Sequence, residues 1–108
     1  MSVGKLWVLH DRFGNEIYLT EERWHHIIDA DNHPEVEPFF DDIAETIRRG
    51  RRQQDPYDPN GYRYSLPIPD LPDGNNHLVV CVRFRWRTLP DGILHEEKFV
   101  TTTYFQFF

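Results

Sequence analysis

The chain has 108 residues, enough for one domain whose core folds without staples. Its formal net charge is −6 and its single cysteine is Cys81, which excludes an intramolecular disulfide and a cysteine-based zinc cage. No apolar run reaches the roughly 18 residues of a membrane span, and Met1-Ser-Val-Gly-Lys5 lacks the basic-then-apolar pattern of a secretory signal, so a cytoplasmic protein with no membrane partner is expected.

The charge is uneven. Residues 1–47 carry Lys5, Arg12 and Arg23 against eleven carboxylates, a balance of −8, whereas residues 48–108 carry nine basic residues against seven carboxylates, a balance of +2. An acidic total argues against tight nonspecific nucleic-acid binding. The clusters Arg48-Arg-Gly-Arg-Arg52 and Arg83, Arg85, Arg87 still leave a phosphate-binding face open.

In chain order, Lys5-Leu-Trp-Val-Leu-His10 and Glu16-Ile-Tyr-Leu19 are short β-type runs joined by Asp11-Arg-Phe-Gly-Asn15, which predicts a hairpin. Thr20 is an N-cap candidate for a helix over 20–29, with Glu21 and Glu22 at its positive end. Trp24, Ile27 and Ile28 form its apolar stripe, and His25 and His26 point away from that stripe, as candidates for acid–base work or as locally bonded surface histidines. His33-Pro34 stops this helix.

A second helix is predicted from Val36 to Arg49, with Val36, Phe40, Ile43, Ala44 and Ile47 on one stripe and Gly50 just beyond its end. The five prolines between Gln53 and Pro72 forbid one regular element there, although Tyr62-Arg-Tyr-Ser-Leu66 fits a strand. His77–Trp86 and Glu97–Phe107 read as a long antiparallel hairpin around Leu89-Pro-Asp-Gly92. The expected fold class is α+β: two N-terminal helices packed on one face of an antiparallel sheet of about four strands, preceded by a short β-hairpin, all in one domain over residues 1–108.

Strand parity sets Leu78, Val80, Val82, Phe84 and Trp86 on one face and Arg83, Arg85 and Arg87 on the other. In the last strand Phe99, Thr101, Thr103, Phe105 and Phe107 alternate with Val100, Thr102, Tyr104 and Gln106. A face bearing arginines, hydroxyls and aromatic rings suits a phosphodiester and a stacked base, or is an ordinary solvated face. His25 and Asp29 stand at i, i+4 with His33 nearby, but no strong ligand spacing exists, so no metal and no other cofactor is expected. Cys81 reads as a buried thiol.

Leu19-Thr-Glu-Glu-Arg-Trp-His-His-Ile-Ile28, His33-Pro34-Glu35 and Phe40-x-x-Ile-x-x-Thr-Ile47, followed by Tyr62-Arg-Tyr64, His77–Phe84 and Phe99-Val-Thr-Thr-Thr-Tyr104, resemble the phage-associated nuclease-like domains of the BECR superfamily. That superfamily groups barnase, EndoU, the tRNase colicins and RelE-type toxins. The resemblance implies two N-terminal helices on an antiparallel sheet and metal-independent RNA cleavage by 2′-OH transphosphorylation. It implies catalytic roles for His26, Arg63, Thr102 and Tyr104. Arg83, Arg85 and Arg51 are candidates for binding substrate. The expected partner is RNA (tRNA, mRNA or rRNA), together with a cognate inhibitor protein if the domain is a toxin or phage-derived effector. Two rival readings are a non-catalytic module binding protein or nucleic acid on the same face, and a homodimer formed through the aromatic C-terminal strand.

Overall fold

The computed structural model describes residues 4–108; residues 1–3, the start of the segment that lacks a secretory pattern, lie outside them. Strand β1 (Lys5–His10) and β2 (Glu16–Thr20) pair antiparallel, as their sequence predicts. Asp11 builds the turn between them: its Oδ1 accepts from Phe13 N–H at 2.9 Å and Asn15 N–H at 2.8 Å, and Gly14 takes the left-handed backbone, φ 85°. Thr20 caps α1 (Glu21–Ile27), its Oγ1 accepting from Arg23 N–H at 3.1 Å.

The second helix starts later than its stripe suggests. Pro38 lacks the N–H that an α-helix would bond to the Pro34 carbonyl, and Pro34–Phe39 winds as a 3-10 turn before α2 (Phe40–Arg49) begins. Ile43, Ala44 and Ile47 of α2 are buried, while Phe40 is half-buried at the edge of the core against Trp24, ring centroids 4.9 Å apart. Strands β3 (Arg51–Gln54), β4 (Gly61–Pro67), β5 (His77–Thr88) and β6 (Leu94–Gln106) follow.

The six strands of the described residues lie in one mixed sheet of order β1-β2-β6-β5-β4-β3. This overturns the expected sheet of about four antiparallel strands with a separate hairpin before it. The hairpin is tied in through a parallel bridge, Tyr18 to Phe99. Ile17 and Leu19 demand that join, since both are fully buried in the same core as Val100. β3 escaped the sequence because Arg51-Arg-Gln-Gln54 has no apolar alternation; it is an edge strand with β4 as its one neighbour.

Nor do both helices simply lie on one face. α2 packs across β1, β4 and β5, whereas α1 packs against β2 and β6. There α1 sends Ile27 into the core, and its Arg23 and His26 reach residues of the opposite, open face. The core is formed by α1, the 3-10 turn, α2 and the inner side chains Leu9, Ile17, Leu19, Tyr64, Leu78, Val80, Val82 and Val100. The C-terminal strand is interior, between β2 and β5, with Phe107 and Phe108 exposed beyond it. No helix among the described residues is long and apolar enough to cross a membrane.

Candidate functional site on the open face of the sheet

A β-bulge decides what the open face carries. Cys81 faces Thr102 and Val82 faces Val100, so Thr101 is the extra residue of β6. The bulge reverses the alternation read from the sequence. Val100 turns into the core, and Phe99 comes to the same face as Thr102 and Tyr104. Thr101 Oγ1 donates to the Cys81 carbonyl at 3.2 Å across the irregularity.

On that face Arg63, Cys81 and Thr102 stand opposite one another on three adjacent strands, β4, β5 and β6. Tyr104 and Arg83 lie one step to either side, since Val79 faces Tyr104 and Arg83 faces Phe99. Arg63, Arg83, Cys81 and Thr102 line one cleft, together with Asp55, Asp58 and Arg23. Burial raises the Tyr104 pKa above the ordinary phenol value, with Cys81 adding to it and Arg63 opposing, so its O–H remains a donor at neutral pH. Burial likewise raises the Cys81 thiol, which the sequence reads as buried and which is half-buried on the open face.

His26 and Arg85 line a second, adjoining cleft of about 340 Å³, with Tyr18, Glu22, Arg23 and Phe99. This is the small end of the usual range for ligand clefts. Tyr18 and Phe99 are a tilted pair, centroids 5.9 Å apart, and Arg85 lies 4.8 Å from the centre of the Phe99 ring. Arg23 is the shared wall of the two clefts. The sequence-predicted residues therefore divide: Arg63, Thr102 and Arg83 meet in one cleft, His26 and Arg85 in the next. Tyr104 stands beside the first and also meets the ring of His33, 6.2 Å away.

Arg51 belongs to neither. It lines a separate hollow with Ser65, His77 and Phe108, on the same face of the sheet but toward the β3 edge. The basic cluster around Gly50 is dispersed: Arg48 and Arg49 pair with Glu45, both at 2.8 Å, and the Arg52 guanidinium lies between the rings of Phe13 and Tyr62, at 4.3 and 4.7 Å. Among the described residues, no three His, Cys, Asp or Glu side chains come together as a metal-holding group.

The carboxylates of the face were missed from sequence. Asp58 Oδ2 accepts from Arg83 Nε and Nη2 at 3.2 and 3.0 Å, Asp55 Oδ2 lies 3.5 Å from Arg63 Nε, and Glu97 sits 2.9 Å from Arg85 and 3.5 Å from Arg87. Arg63 Nε is buried and has no hydrogen-bond partner, its 3.5 Å approach to Asp55 being an ion pair longer than a normal N–H···O bond. The repeat Asp55-Pro-Tyr, Asp58-Pro-Asn was the available signal. Comparison with family models, with curated proteins and with solved structures returns no match to this chain.

Proposed function

We propose that the open face binds single-stranded RNA and cleaves it without metal through the ribose 2′-OH. The observation that carries this reading is the alignment of Arg63, Cys81 and Thr102 across three strands, with Arg23 joining that cleft to the one holding His26. In this reaction a base takes the 2′-OH proton, the freed oxygen attacks the adjacent phosphorus, and the 5′-oxygen leaves with a proton from an acid, giving a 2′,3′-cyclic phosphate and a 5′-OH. His26 serves as acid or base. Arg63 and Arg83 face the charge that develops on the phosphorane, and the hydroxyls of Thr102 and Tyr104 orient it. Tyr18 and Phe99 offer a base a stacking surface beside His26. The resemblance to BECR-type nucleases points the same way.

The test is cleavage of a mixed RNA panel by the intact chain, with the all-deoxy counterparts as controls. Wild type cuts RNA and leaves DNA intact in EDTA, and His26→Ala loses about 10²–10⁴-fold in rate while remaining folded. Equal rates for the two proteins, or cleavage that needs an added divalent metal, defeats the proposal.

A specific observation favours a second reading, a non-catalytic binding module: Arg63, Arg83, Arg85 and Arg87 each already face a carboxylate. On that reading both proteins bind the panel and neither cuts it.

A further inference from the structure

The loop between β3 and β4 builds the same small structure twice. In Asp55-Pro56-Tyr57, the Asp55 Oδ1 accepts from Tyr57 N–H at 2.8 Å; in Asp58-Pro59-Asn60, the Asp58 Oδ1 accepts from Asn60 N–H at 3.0 Å. Each proline fixes the backbone between acceptor and donor. The second oxygen of each carboxylate is thereby turned onto the sheet, Asp55 Oδ2 toward Arg63 and Asp58 Oδ2 onto Arg83.

The loop is seated firmly enough to hold those oxygens in place. Asp55 N–H donates to the Gly61 carbonyl at 2.9 Å, Gly61 N–H to the Asp58 carbonyl at 2.9 Å, and Phe84 N–H to the Asn60 carbonyl at 2.8 Å. Gly61 allows the closeness, since a Cβ there would stand 3.2 Å from Asp58 Oδ2 and 3.3 Å from the Asp55 Cβ.

We propose that Asp55 and Asp58 are specificity-determining residues: Asp58 Oδ2 occupies the Nε–Nη2 edge of Arg83, Asp55 Oδ2 offsets the charge of Arg63 from 3.5 Å, and together they limit how many phosphates the open face engages. This rests on the reading of that face as phosphate-binding. A carboxylate and a phosphate present equivalent oxygens to a guanidinium, so at Arg83 Asp58 competes for the same N–H groups, while at Arg63 Asp55 acts through its charge. A polyanion that offers charge alone must displace a partner tethered in the chain and gains little. A phosphate placed by other contacts, such as base stacking and hydroxyls, needs only the N–H groups left over. The two turns thus trade affinity for discrimination.

Asp55→Asn and Asp58→Asn each keep the Oδ1 acceptor of the turn and remove the charge. Testing them separately means that a fold lost in one leaves the other informative. The probes are a labelled single-stranded 2′-O-methyl oligonucleotide, which lacks the attacking hydroxyl, and pyrophosphate, both titrated from about 50 to about 200 mM salt. Each variant binds the oligonucleotide about two- to fivefold more tightly than wild type, in keeping with an exposed ion pair. The slope of log affinity against log salt steepens by about 0.7 for each arginine released. Asp58→Glu, which restores the charge, returns the slope toward that of wild type, and Arg83→Ala abolishes the gain made by Asp58→Asn.

Unchanged affinity and slope for both probes in folded variants overturn the proposal, as does a gain that survives Arg83→Ala. If pyrophosphate binding tightens in the variants while no RNA is bound or cut, the RNA reading falls and the role of the two turns stands.

Discussion

The Tyr64 hydroxyl donates to Asp11 Oδ2, joining β4 to the first hairpin turn across 53 residues of chain. Asp11 is almost fully buried, and its carboxylate also accepts from Asn15 Nδ2 at 2.9 Å and from the backbone of Phe13 and Asn15. Burial pushes its pKa up, but the hydrogen bonds from Tyr64, Asn15 and the backbone outweigh it and hold the group below the ordinary carboxylate range.

That sign fixes a pH dependence. A carboxylate whose folded pKa lies below its unfolded value stabilises the fold above the unfolded value, and loses that contribution as pH falls through the folded one. Tyr64→Phe is expected to cost about 1.5–3 kcal/mol at neutral pH, the scale of a hydrogen bond to a charged group. Asp11→Asn is expected to be less stable at pH 7 and to show a shallower loss below about pH 4, the ordinary carboxylate value. Urea melts across that range decide it, and an acid limb identical to wild type sinks the assignment.

Gly50 ends α2 with ordinary extended angles, φ −66° and ψ 155°, so left-handed freedom is not why glycine stands there. A Cβ would lie 2.2 Å from the Thr46 carbonyl oxygen and 3.0 Å from that of Ser65, both backbone atoms that cannot swing aside. Gly50→Ala should therefore destabilise by about 1–3 kcal/mol or more, the cost of overpacking. Chemical denaturation measures it. A stabilised variant would mean that α2 and β4 separate more readily than their packing implies.

Cys81 is half-buried beside Arg63, and burial outweighs the guanidinium in raising its thiol. The thiolate is the reactive form, so alkylation of native protein at pH 8 should run at least about tenfold slower than in urea. Equal rates in the two states would show the thiol to be freely accessible and ionisable.

What the sequence showed depends on how much of each signal is local. The hairpin turn at Gly14, the Thr20 cap and the inward set Leu78, Val80 and Val82 follow from periodicity and turn chemistry, and all appear in the fold. The parallel bridge from Tyr18 to Phe99 leaves no mark in either segment, because it joins two strands that each read correctly alone. The bulge at Thr101 is equally silent: four threonine-rich residues alternate acceptably in either phase, and only the partner strand chooses. The same blindness affects the site. Arg83 and Arg85 were legible as a basic row, but their partners Asp58 and Glu97 come from a proline-rich loop and a neighbouring strand, brought there by the sheet.

Those partners rank the arginines. None of the ion pairs among the described residues includes Arg23, although its side chain lines both clefts of the open face. An uncompensated guanidinium loses nothing internal when a phosphate arrives, whereas Arg83 must share or release Asp58. Arg23→Ala is therefore expected to weaken binding of a non-cleavable single-stranded oligonucleotide more than Arg83→Ala does. The salt slope should fall by about 0.7 for Arg23→Ala, one phosphate contact on a single strand, and by less for Arg83→Ala. Because Arg23 donates its backbone N–H to the Thr20 cap through the main chain alone, the substitution leaves the start of α1 intact. Fluorescence anisotropy of the two variants, at matched thermal stability, orders them. If Arg83→Ala is the more damaging, the compensated arginine carries the phosphate and Arg23 is only the wall between two hollows.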